Sequence, residues 1–210
     1  MKPSAVRWLV AGLMMLAVTA GAKEAPRALA LGKSAPMADV KMANVDGTSL
    51  SIADVKGAKG TMVIFTCNSC PWVKAWESRI AELGNAYAKQ GIGVIAINAN
   101  DPAAKPDDDM APMQERAKSL GLEFAYVMDA SSDVARAFGA TKTPEVFLFD
   151  RKGKLVYHGA IDDNAKAPEK VSARWLNDAL VATAAGKAVA VKETKSLGCT
   201  IKFRARPTAS

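Results

Sequence analysis

The sequence predicts an α/β fold, a mixed sheet flanked by helices with an amino-terminal β-hairpin extension, and three observations predict it. Two short apolar runs, residues 61–65 and 92–97, have the length and β-branched content of strands buried on both faces. Between them, apolar residues recur at Val73, Trp76, Ile80, Leu83 and Tyr87, the three-four spacing of one helical face. Two later strand-like runs, 145–149 and 154–158, are separated only by the turn 150–153 and must pair antiparallel, whereas strands joined through helices pair parallel.

Taken in order, the chain opens with Lys2 and Arg7, an uncharged run from Trp8, and the small triplet Ala20-Gly21-Ala22, the three-part pattern of a secretory signal peptide. The run of about 13 residues is too short for a bilayer span of roughly 20. Residues 1–22 are therefore expected to be a cleaved signal, with the protein periplasmic or secreted and without stable membrane insertion after cleavage. Cleavage removes two cations and no anion, leaving about +5 of the formal +7. The remaining cations are dispersed, with a looser cluster from Lys187 to Arg206, and no aromatic-interleaved basic motif is present, so no nucleic-acid partner is expected.

Residues 23–186 read as one domain and 187–210 as a basic tail bearing Cys199. Asp46-Gly47 marks the turn of the amino-terminal hairpin. The helix after Pro71 is expected to end near Gly91. Beyond the strand 92–97 come an acidic, proline-bearing loop (98–109), a helix over 110–120, a short strand over 123–128 and a helical turn from Ser132-Asp133 to Phe138-Gly139. A last helix is predicted over 171–185, capped by Gly186.

The chemistry is read from Cys67-Asn68-Ser69-Cys70-Pro71, which joins a buried strand to an amphipathic helix, where a thiolate gains from the helix dipole and free amides. Two cysteines at this spacing can close a small disulfide ring and reopen it by thiolate attack. A zinc site would need a second pair or several histidines, and the chain has one His, so no metal and no cofactor are expected. Pro71 suits the first helical position, which puts Cys70 at the cap and predicts that Cys70 has the lower pKa, with Cys67 as its disulfide partner. Three cysteines in the mature chain leave an odd thiol, Cys199, which reads either as a resolving thiol or as a small packing residue.

The run from Phe65 to Lys74, with Asn98-Ala99-Asn100-Asp101, Val134 to Gly139, Thr143-Pro144 and Ile161-Asp162-Asp163-Asn164, resembles the peroxiredoxin-like branch of the thioredoxin superfamily. The likeness extends from Leu31 to about Phe203. It implies a thioredoxin-like fold, and it implies that Pro144, after Thr143, is the cis-proline facing the cysteine pair. Two departures bear on activity. Thioredoxins usually carry a proline between the cysteines, where this chain has Asn68-Ser69. Peroxiredoxins place a threonine three residues before the reactive cysteine, where this chain has Cys67 (before Cys70) or Ile64 (before Cys67).

The leading expectation is an exported enzyme that exchanges disulfides with protein thiols, served by an unidentified redox partner. The alternatives are a thiol peroxidase and a non-catalytic copper carrier using the pair with His158. Trp72 is a candidate substrate contact, while Trp76 falls on the core face. His158 is otherwise a surface strand residue, Asp107-Asp108-Asp109 a solvated loop, and Arg136 and Phe138 packing residues of a short helix.

Overall fold

Seven consecutive buried residues form strand β3 (Gly60–Thr66), and their alternation supplies both halves of the core. Met62 and Ile64 face Trp76, Ile80, Val94 and Leu148. Val63 and Phe65 face Ile95, Ile97, Phe138 and Phe147 on the other side. A strand covered on both faces needs apolar residues at every position, which is why it reads as a continuous apolar run. The computed structural model describes residues 27–206; the predicted signal, residues 1–22, lies outside the described residues.

The amino-terminal hairpin comprises β1 (Met42–Asn44) and β2 (Ser49–Leu50). Asp46 accepts from the Thr48 amide at 2.8 Å, and Gly47 supplies the left-handed turn residue at φ 87°. After β3 come α1 (Pro71–Ala88), β4 (Ile92–Asn98), α2 (Met110–Ser119), β5 (Ala125–Met128) and α3 (Asp133–Phe138). Then follow β6 (Lys142–Thr143), β7 (Glu145–Asp150), β8 (Leu155–Gly159), α4 (Trp175–Ala184) and β9 (Cys199–Thr200). The main sheet has the order β2-β1-β5-β4-β3-β7-β8. Its β3, β4 and β5 are parallel, while β7, β8 and the hairpin run antiparallel to their neighbours.

Three sequence expectations need correction. The last helix starts at Trp175, not residue 171, because the preceding residues are held in an extended loop: Ser172 donates its amide to Asp163 at 3.0 Å and Leu176 bonds the Ile161 carbonyl. Its end agrees with the glycine cap, since Gly186 (φ 68°) and Lys187 donate to the Thr183 and Ala182 carbonyls. His158 is not a surface residue; its side chain is 13% exposed, because the carboxyl-terminal segment runs alongside β8 through the His158–Lys192 and Thr194–His158 backbone bonds. The third correction, at Asp108, belongs to the site.

The segment after Gly186 packs on the domain. Val189 and Ile201 are buried in the two core halves, and burying a side chain such as Ile201 contributes roughly 1.5–3 kcal/mol. The small sheet β6–β9 places Lys142 opposite Thr200 and Thr143 opposite Cys199.

Candidate active site

Strand β3 delivers the chain to Cys67, and helix α1 begins four residues later. Cys70 is the residue before the helix, in extended conformation (φ −86°, ψ 123°), and Pro71 is the first helical residue. Proline is at ease there because its missing N–H would have had no partner within the helix. The Cys70 sulfur therefore lies at the positive end of an 18-residue helix. Both Cys67 and Cys70 are 2% exposed.

Thr143 meets both sulfurs. Its hydroxyl lies 3.2 Å from Cys67 Sγ, and its carbonyl lies 3.2 Å from Cys70 Sγ. The Thr143–Pro144 peptide is cis. Directly after it, Glu145 accepts from the Thr141 and Lys142 amides at 2.8 and 3.0 Å with one oxygen and bonds His158 Nε2 at 2.7 Å with the other, which fixes the short strand β6. Cys199, half-buried, and Trp72 pack against the cluster of Cys67, Cys70 and Val73. All three cysteines are free thiols.

These surroundings separate the thiols chemically. Cys70 is lowered to about 4 by the Cys67 thiol first, then by the Cys199 thiol and the Val73 and Cys199 amides, with burial opposing. The Thr143 carbonyl also opposes, because it favours the protonated sulfur, but the helix end and several donors outweigh one acceptor. Cys67 is pushed up by sharing its proton with Cys70, by burial and by the Asp108 charge. Cys199 is pushed up by burial and by Cys70.

Asp108 is the site residue that sequence reasoning missed. Asp107 and Asp109 are exposed, but Asp108 is fully buried. Its oxygens accept from the Asn68 amide (2.5 Å), the Ser69 amide and hydroxyl (3.3 and 2.7 Å), Asn98 Nδ2 (3.2 Å) and Asn100 Nδ2 (2.8 Å). It thus clamps the two residues between the cysteines onto the end of β4. Asn68 in turn accepts from the Tyr126 hydroxyl at 3.0 Å. The available signal was Asn98-Ala99-Asn100, two amides aimed from a strand end at one buried acceptor.

The AhpC/TSA family profile matches residues 31–158, which include β3, Cys67, Cys70 and the cis-proline. The chain belongs to the AhpC/TSA family. Thiol-disulfide oxidoreductase ResA of Geobacillus thermodenitrificans is 29% identical over 128 residues, covering 61% of this chain and 68% of the relative. A hypothetical protein, SMc02350 of Sinorhizobium meliloti 1021, has a crystal structure that superposes with a TM-score of 0.79 at 35% identity, covering 86% of this chain and 98% of that one. A thioredoxin-like protein in its oxidised form superposes with a TM-score of 0.59 at 20% identity, over 73% of this chain and 97% of the other. The AhpC/TSA chain therefore has the thioredoxin-like fold that its residues resemble.

Within this AhpC/TSA site, Ile64 is fully buried and offers no hydroxyl three residues before Cys67. Arg116 borders the cavity beside Cys67 but is ion-paired with Glu77. Trp72 is half-buried and stacks on Trp76 with ring centroids 6.1 Å apart. Trp76 is in the core, as its spacing predicts, and donates Nε1–H to Asp162 at 2.7 Å. His158 is engaged by Glu145 and stacked on Phe147, away from the thiols in its contacts. Among the described residues no group of three or more His, Cys, Asp and Glu side chains is arranged to hold a metal ion, and no helix is long and apolar enough to cross a membrane.

Proposed function

We propose that this AhpC/TSA protein is an exported thiol-disulfide oxidoreductase that exchanges disulfides with protein thiols through Cys67 and Cys70. The observation that carries the reading is the placement of Cys70 at the amino-terminal end of α1, with its thiol lowered to about 4 and Cys67 beside it. In one direction, the Cys70 thiolate attacks a substrate disulfide, forms a mixed disulfide and expels one substrate sulfur as a thiolate. Cys67 then gives up its proton and attacks Cys70, so the Cys67–Cys70 disulfide forms as the second substrate sulfur leaves. The reverse sequence oxidises a dithiol, and the same atoms serve both.

Thr143 supports the pair by contacting both sulfurs, and Pro71 and Pro144 shape the helix start and the facing loop. The cavity beside Cys67 measures only about 30 Å³ and is not lined by Cys70. That favours a substrate that approaches from the surface, past exposed Pro71 and half-buried Trp72. The relative named ResA supports the same activity, and the signal-like segment 1–22 supports export. Reduction of insulin by the protein with dithiothreitol, compared with Cys70→Ser and Cys67→Ser/Cys70→Ser, tests the activity; both variants are expected to fall to the dithiothreitol background, and equal rates for all three would refute it. Amino-terminal sequencing of protein recovered from the cell exterior or periplasm tests export, with Lys23 as the expected first residue.

A further inference from the structure

A third thiol reaches the same cluster from a distant part of the chain. Cys199 packs with Cys67, Cys70 and Val73, and its backbone is the antiparallel partner of Thr143, whose hydroxyl and carbonyl each lie 3.2 Å from one of the paired sulfurs. This placement is built in by the segment around it. The Gly198 backbone comes so close to β6 that a Cβ there would stand 2.2 Å from the Thr143 carbonyl oxygen. Ile201 is buried and donates its amide to the Thr141 carbonyl at 3.0 Å. The Lys202 amide donates to Asn100 Oδ1 at 2.8 Å, and the Arg204 amide to Ser132 Oγ at 3.0 Å. Asn100 also donates to Asp108, so the anchor of the tail and the anchor of the Cys67–Cys70 loop share one side chain.

We propose that Cys199 is a second resolving thiol, which attacks Cys70 when that sulfur carries a mixed disulfide and leaves a Cys70–Cys199 disulfide. The inference rests on the reading of Cys70 as the nucleophile. Cys199 loses its proton, its sulfur bonds to Cys70 Sγ, and the Cys70–substrate bond breaks with both electrons going to the substrate sulfur, which leaves as a thiolate and is protonated. The substrate disulfide is the oxidant, and the net change is its reduction by Cys70 and Cys199. The same attack on a Cys67–Cys70 disulfide returns Cys67 as a thiol, with no net oxidation, so Cys70 has two alternative partners. An extended segment that lays a sulfur against Cys70 by pairing with a free backbone edge is how an incoming peptide would be received; here β9 occupies that edge at Thr143 and offers Cys199 to Cys70.

The test uses full-length Cys67→Ser and Cys67→Ser/Cys199→Ser proteins exposed to oxidised glutathione, with the products mapped by mass spectrometry without reduction. Loss of both glutathione halves from the Cys67→Ser protein, with a Cys70–Cys199 disulfide in its place, supports the inference, as does a persistent Cys70–glutathione adduct in the double variant. A persistent adduct in both proteins, with Cys199 free, overturns it while leaving Cys70 as the nucleophile. If neither protein forms an adduct at Cys70 and the wild type forms no Cys67–Cys70 disulfide, the underlying reading fails as well. Circular dichroism of each variant and mapping of partially oxidised wild type, where a minor Cys70–Cys199 species is expected, guard against misfolding as the cause.

Discussion

The Asp108 carboxylate accepts a hydrogen bond from the Asn68 amide at 2.5 Å, across 40 residues of sequence. This contact joins the segment between the two cysteines to the loop after β4, and with Ser69, Asn98 and Asn100 it makes Asp108 the common acceptor of one buried network. Hydrogen bonds to a charged acceptor each contribute roughly 1.5–3 kcal/mol net, and buried donors left without a partner cost a comparable amount. Asp108→Ala is therefore expected to lower stability by about 3 kcal/mol in urea unfolding, with Asp108→Asn between it and the wild type. Because the Asp108 charge helps to raise Cys67, both variants should also lower the Cys67 thiol pKa in alkylation profiles. An unchanged profile would mean that Asp108 serves the fold alone.

The reduced protein should become more stable as pH rises from acid toward neutral. Cys70 titrates lower in the folded protein than in the unfolded chain, so its contribution is fully present above the ordinary thiol value of 9.0 and is lost as pH falls towards about 4. Cys67 and Cys199 are raised, so their contribution is present below 9.0 and is lost at higher pH. Urea midpoints of the reduced protein between about pH 5 and pH 8 should rise with pH, and this slope should disappear in Cys70→Ser. A slope that survives in Cys70→Ser and vanishes in Cys67→Ser would exchange the two roles.

Gly198 holds a close approach that no other residue can make. An alanine Cβ 2.2 Å from the Thr143 carbonyl oxygen would push β9 away from β6. Overpacking of this kind costs about 1–3 kcal/mol. Gly198→Ala should speed hydrogen exchange at the Ile201 amide, which donates to Thr141, while leaving exchange in β3 and β4 unchanged. Equal protection of Ile201 in the two proteins would show that the tail does not depend on this contact.

Much of the fold was legible because its signals are local. The apolar run of β3, the periodic face of α1 and the turn at Asp150–Gly153 each specify their own element, and Pro71 places Cys70 at the helix start without help from the rest of the chain. What could not be read depends on distant partners. Three consecutive aspartates look like a solvated loop, and only the meeting of Asn68, Ser69, Asn98 and Asn100 makes Asp108 a buried acceptor. Strands β6 and β9 have two residues each, too few for any periodicity, so the approach of Cys199 to Thr143 had no pattern to announce it. His158 reads as exposed on its own strand because the segment that covers it lies more than 30 residues later, as the bond from Ala160 to Thr194 also shows.

Glu145 links this covering segment to the site. It binds His158 with one oxygen and the Thr141 and Lys142 amides with the other, so Glu145→Ala should release β6 and with it the Thr143 contacts to both sulfurs. The expected result is faster hydrogen exchange at Thr141 and Lys142 together with slower insulin reduction. Faster exchange at unchanged activity would separate the order of β6 from catalysis.

Whether Cys67 and Cys70 form one reversible redox couple is decided by equilibrating the wild-type protein across a series of reduced and oxidised glutathione buffers, trapping free thiols with an alkylating reagent and mapping the peptides. A Cys67–Cys70 disulfide is expected as the main oxidised species, appearing and disappearing along a single two-electron curve. Cysteines 67 and 70 that stay as thiols, or carry only separate glutathione adducts across the whole series, would contradict it.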